Sequence, residues 1–139
     1  MGDRIAIRFV NSTDKTRSPY LYSHGTGINL AKTAKKYVRA LQEKYKIGKK
    51  GWQQMLPLGR GEPDVAMVDF IAKNIKAPVE HDFRLEEAKA DINPAKEHGA
   101  DDNGTFEFDL VSDKIVHNIG EFEKNNIQAE AKKLGAETK

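Results

Sequence analysis

Hydrophobic and polar positions alternate at once in this chain. In Arg4-Ile5-Ala6-Ile7-Arg8-Phe9-Val10, Ile5, Ile7 and Phe9 fall on one face and Arg4, Ala6 and Arg8 on the other, the pattern of a half-buried strand. The polar run Asn11-Ser12-Thr13-Asp14-Lys15 predicts a turn, and Pro19-Tyr20-Leu21-Tyr22-Ser23 a return strand with its proline at the first position. Together they predict a β-hairpin. After His24-Gly25-Thr26-Gly27 the period changes to that of a helix. Leu30, Ala34, Tyr37, Val38, Leu41 and Tyr45 form one stripe from about Asn29, with Gly48 as the stop.

The stretch 49–61 mixes glycine, proline and apolar residues without period and reads as a long loop. Pro63 and Asp64 then mark a helix entry. Val65, Val68, Ala72 and Ile75, flanked by Met67, Phe70 and Ile71, predict a broadly apolar, deeply seated helix that Pro78 ends. Residues 79–104 are acidic and irregular, with a short helix expected over Leu85–Ala90. Thr105-Phe106-Glu107-Phe108-Asp109-Leu110 and Lys114-Ile115-Val116-His117-Asn118-Ile119 predict a second hairpin. Residues 121–134 have helical composition but a poor stripe, since Phe122, Ile127 and Leu134 barely share a face.

These elements add up to an α+β fold: an antiparallel sheet of about four strands, as two β-hairpins, with two or three helices packed on one face. Residues 1–134 form one domain in this reading, and 135–139 a frayed C-terminal tail. If the hairpins are neighbours, Arg4 and Arg8 meet Glu107 and Asp109 across strands.

Composition narrows the chemistry. The 139 residues are 38% hydrophobic and 32% charged, enough for one modest core. With no cysteine, disulfides, thiolate catalysis and Cys-ligated metal centres are excluded. No apolar run approaches the roughly 20 residues of a membrane helix. No basic-then-apolar leader opens the chain, and Ala6 stands where myristoylation wants Ser or Thr. A cytoplasmic protein with no membrane association and no cofactor is the expectation.

Motif by motif, enzymes fall away. Gly25 and Gly27 begin a dinucleotide fingerprint, but Leu30 occupies the third glycine position. His24-Gly25-Thr26-Gly27 also resembles an esterase oxyanion loop, yet no serine has the flanking glycines of a nucleophile elbow. Gly48-Lys49-Lys50 lacks both the leading glycine, where Glu43 stands, and the hydroxyl residue of a phosphate-binding loop. His81, Asp82, Asp91, His98, Asp101 and Asp102 gather in the acidic stretch without any established metal-ligand spacing. A metal-dependent or other small enzyme built on those His and Asp residues is one alternative reading.

Charge supplies the leading one. The net charge is +2, but residues 1–60 carry +10 and residues 61–139 carry −8. Within 32–60, nine Lys/Arg face one acid, Glu43. Such asymmetry points to a polyanion-binding face. The expected function is a small soluble binding module. Lys32, Lys35, Lys36, Arg39, Lys46, Lys49 and Lys50 attract phosphate or carboxylate, and Trp52 serves for stacking. Nucleic acid and an acidic protein are the partner classes that fit. A third reading is a self-associating structural protein whose oppositely charged halves complement each other.

Overall fold

Side chains alternate along a strand, so Ile5, Ile7 and Phe9 leave β1 (Ile5–Asn11) on one side, where all three are fully buried. The chain then runs through β2 (Thr16–Arg17), β3 (Tyr20–Ser23), α1 (Asn29–Tyr45), a single 3-10 turn (Trp52–Met55) and α2 (Pro63–Asn74). It continues through β4 (Arg84–Glu86), α3 (Pro94–Glu97), β5 (Thr105–Asp109), β6 (Ile115–Asn118), α4 (Ile127–Lys133) and β7 (Ala136–Thr138). The computed structural model describes residues 3–87, 93–98, 100, 102–119 and 127–139.

The α+β class holds, and the sheet is larger and differently ordered than the alternation predicts. Among the described residues it has seven strands in the order β4-β3-β1-β5-β6-β7, with β2 paired to β1. Both predicted hairpin pairings form: β1 with β3 and β5 with β6 are antiparallel. The junction between them is parallel, β1 against β5, and so is β6 against β7. The sheet is therefore mixed rather than antiparallel. A strand's pattern specifies its buried face but not its neighbour's direction, and β5 reaches β1 only after the chain has passed over the sheet through α1 and α2.

Two other expectations are corrected. The short helix over Leu85–Ala90 is replaced by edge strand β4, whose Leu85 pairs with Leu21; residues 88–90 lie outside the described residues. The tail 135–139 is not frayed: Gly135 turns at φ +87°, and Ala136–Thr138 pair with Ile115–His117. Of the helix expected over 121–134, Ile127–Lys133 is seen as α4, and residues 121–126, Phe122 among them, lie outside the described residues.

The core lies between the Ile5/Ile7/Phe9 face and the helices. Leu21, Phe106, Phe108, Leu110 and Ile115 join it from the sheet side. Leu30, Ala34, Val38 and Leu41 come from α1, Ala66, Met67 and Phe70 from α2, and Ala131 from α4. Phe9 meets Phe70 edge-on at 5.5 Å between ring centres and Tyr37 at 5.7 Å. Each such buried ring is worth about 2–3 kcal/mol from area alone. Tyr37 also donates to the Asp69 carboxylate (2.7 Å), tying α1 to α2. Burial, reinforced by that bond, pushes the Tyr37 hydroxyl far above its ordinary pKa. In α2 the register differs from the expected stripe: Ala66, Met67 and Phe70 face inward, while Val68 is 67% exposed. The helix is apolar on two sides, and the sheet takes the side with the phenylalanine.

The opposite face of the sheet carries a second, smaller buried cluster of Ala6, Tyr20, Tyr22 and Ala100 beside charged side chains. Arg8 lies 4.5 Å over the Tyr20 ring and pairs with Glu107, while His98, just after α3, packs against the same tyrosine. Of the expected meetings, Arg8 with Glu107 thus occurs, across the parallel β1–β5 pair, whereas Arg4 pairs with Asp102 and Asp109 accepts from Ser12 and Ser112.

Candidate anion-binding surface

Helix α1 buries a stripe every three to four residues, so its lysines are forced onto the remaining arc. That arc is not one continuous open face. Its flanks bind other parts of the chain. Toward α4, Lys32 stands 3.6 Å from Glu130, and the Lys35 ammonium donates to the backbone carbonyl of Leu134 at 2.7 Å, in the turn that follows the helix. Such a carbonyl has lost its helical partner, and a cation there is doubly favourable. Toward the β5–β6 turn, Arg39 pairs with Asp113 at 3.3 Å. Gln42 donates to the carbonyls of Leu110 and Ser112 beside it. Near the helix end, Lys46 takes up the left-handed conformation that closes α1 and meets Glu43 at 2.8 Å. Its hydrogen bond holds the Glu43 carboxyl below the usual range.

Three of the predicted cations have neither an ion pair nor a side-chain hydrogen bond among the described residues: Lys36 on the outward side of α1, and Lys49 and Lys50 beyond its end. All three are exposed. Lys44, also outward, leans over the Tyr45 ring with its ammonium 5.3 Å from the ring centre.

Trp52 is 68% exposed and plugs no part of the core. Two neighbours share its situation: Met55 is 80% exposed and Leu56 40%. Neither stood out in the sequence, because a loop without period gives no face to assign them to. The loop is nevertheless tied down. The Arg60 guanidinium donates to the carbonyls of Gln54 and Met55 (3.2 and 3.0 Å) and pairs with Glu62 at 2.7 Å. Asn11 reaches from β1 to the carbonyls of Arg60 and Gly61. Gly59 is buried so tightly that a Cβ there would lie 1.6 Å from the Gln53 carbonyl oxygen. Only glycine lets the two stretches of the loop touch.

The acidic stretch assembles no comparable site. Among the described residues, no group of three or more His, Asp and Glu stands close enough to hold a metal; Asp91 and Asp101 lie outside them. His98 is buried with Nδ1 2.6 Å from Glu86. Asp102 is held by Arg4 at 2.8 Å. Burial works against the Asp102 charge, but the Arg4 bonds outweigh it and keep its carboxyl below the ordinary value. His117 is a core residue, stacked on Phe106 at 4.4 Å with Nε2 2.9 Å from the Asn103 carbonyl. His24 and His81 are exposed on either side of the glycine turn, which approaches so closely that a Cβ on Gly25 would sit 2.7 Å from the His81 ring. Beside that turn, a cleft of about 280 Å³ is lined by Thr26, Leu30, Ile75, Lys76, His81 and Phe83.

Charges from the two halves of the chain meet within the molecule. Arg4–Asp102, Arg8–Glu107, Lys32–Glu130 and Arg39–Asp113 each join a basic N-terminal residue to an acidic C-terminal one. Among the described residues no helix is long and apolar enough to cross a membrane. Compared with protein-family models, curated proteins and solved structures, the chain matches none of them.

Proposed function

We propose that this chain is a small binding module that contacts an anionic partner, nucleic acid or an acidic protein surface, through the outward side of α1 and the loop after it. One observation carries the reading: Lys36, Lys49 and Lys50 are exposed and without an ion pair among the described residues, although acidic residues are abundant in the same chain. Unpaired surface cations keep their full attraction for a multivalent anion. The paired ones contribute too. Lys32 and Lys46 are about half exposed in their ion pairs. Such surface pairs are worth only about 0–1 kcal/mol, so a polyanion can displace the internal carboxylate at little loss. Lys35 and Arg39 serve chiefly to fix the helix against α4 and the β5–β6 turn.

The test is the triple variant Lys36→Glu, Lys49→Glu, Lys50→Glu, compared with the unaltered protein against mixed-sequence DNA, RNA and polyglutamate at about 50 mM salt. The unaltered protein binds at least one of these polyanions. The variant binds it at least about tenfold more weakly, with its thermal midpoint unchanged because all three positions are solvated. Binding unaffected by the triple reversal contradicts the reading, as does failure of the unaltered protein to bind any polyanion.

A further inference from the structure

We infer that the loop over residues 49–61 is an anchor for an acidic protein segment that also carries apolar side chains. The inference rests on the anion-binding reading above and names the partner more narrowly. Trp52, Met55 and Leu56 lie within five consecutive residues, and each leaves a large part of its apolar surface in water. Loose loops do this trivially, but this one is not loose. Its turns close on themselves, with Gln54 N–H to Gly51, Leu56 N–H to Gln53 and Arg60 N–H to Leu56, at 3.0–3.2 Å. The Arg60 and Asn11 bonds and the Gly59 close approach clamp the base. A rigid loop that holds a tryptophan, a methionine and a leucine in solvent has already given up the conformational entropy that docking normally costs.

The chemistry of the patch selects the occupant. Single-stranded nucleic acid is gripped by stacking on aromatic faces. Here one ring is accompanied by two aliphatic side chains that stack on nothing, and the more exposed of the two is Met55. Tryptophan and methionine with no charge among them suit the centre of a protein interface, with cations at its rim. Lys49 and Lys50, exposed and just ahead of Trp52 in the chain, supply that rim on one side; neither forms an ion pair among the described residues, and Lys49 feels only the longer-range field of Glu43. The complementary segment is therefore apolar at its centre and acidic at its edge. Three side chains make only part of the roughly 800 Å² per partner of a standard interface, so a short segment binds in the micromolar range, about 1–100 μM.

Trp52 is the chain's single tryptophan, so its fluorescence reports on this loop alone. The experiment titrates the full chain with four probes: a peptide of about 20 residues alternating Asp or Glu with Leu or Phe, polyglutamate of equal length, oligo-dT of about 20 nucleotides, and phosphatidylserine-containing vesicles. The apolar-acidic peptide is expected to shift Trp52 emission to the blue and to bind at least about tenfold more tightly than polyglutamate. The variant Met55→Ser, Leu56→Ser is expected to lose that preference while keeping its polyglutamate affinity and its thermal midpoint. Equal affinity for the two peptides overturns the inference and leaves the anion-binding reading standing. A blue shift obtained with vesicles, or quenching with oligo-dT, at lower concentrations than the peptide needs also overturns it, in favour of a membrane surface or a nucleic acid. No association with any of the four removes both.

Discussion

Asp109 ends β5 with its carboxylate turned back on the chain, where it accepts the hydroxyls of Ser12 (2.6 Å) and Ser112 (2.7 Å) and the N–H groups of Ser12 and Val111. Burial opposes its charge, but these four bonds outweigh the loss of water and hold its pKa below the ordinary 3.8. Asp102, bonded by Arg4, is shifted the same way. Between the folded and ordinary values the unfolded chain binds more protons than the folded one, so protonation favours unfolding there. Stability from both carboxylates is fully present above about pH 4–5 and is lost as pH falls through their folded values. Chemical denaturation followed from pH 6 to pH 2.5 should show this decline. Asp109→Asn should lower stability at pH 6 by about 1–3 kcal/mol and flatten the acid limb, since the substituted side chain no longer takes up that proton. An acid limb of unchanged steepness in the variant would locate the proton uptake elsewhere.

At the scale of elements, legibility in the sequence followed periodicity. The strand around Ile5–Phe9, the stripe of α1, the Pro63-Asp64 entry of α2 and the Phe106/Phe108 alternation were all readable, because three carry a regular apolar period and the fourth a proline and an acid where a helix begins. β4 and β7 were not, since three-residue edge strands with mostly exposed side chains show no alternation to detect. The parallel join of β1 to β5 was invisible for another reason: it links positions about 100 residues apart, and hydrophobic pattern carries no information on direction. In the candidate site the basic residues were legible as charge. Which of them stay free depended on where α4 and the β5–β6 turn dock, so Lys35 and Arg39 could not be told from Lys36 beforehand. The pairing of β7 has a direct check. The Lys139 amide donates to the His117 carbonyl at 2.8 Å, so its hydrogen exchange should be at least about tenfold slower than in an open chain. Exchange at the open-chain rate would mean that the end of the chain does not pair in solution.

Across the whole molecule, part of the excess of cations in one half of the chain and of acids in the other is spent on folding. Arg4, Arg8, Lys32 and Arg39 each find a C-terminal partner, and the sheet junction itself carries the Arg8–Glu107 pair. Among the described residues Lys36, Lys49 and Lys50 remain exposed without an ion pair, as do Lys15, Arg17 and Lys44 elsewhere, and the reading of this chain as an anion-binding module depends on the first three acting together. The salt dependence of binding tests it most directly. Association of the unaltered protein with single-stranded oligonucleotide, measured between about 50 and 200 mM salt, should give a log–log slope of roughly −2, as expected for three neutralised phosphates at about −0.7 each. No detectable association with either this oligonucleotide or polyglutamate at the lower salt, or a slope near zero for the one that binds, would contradict the account.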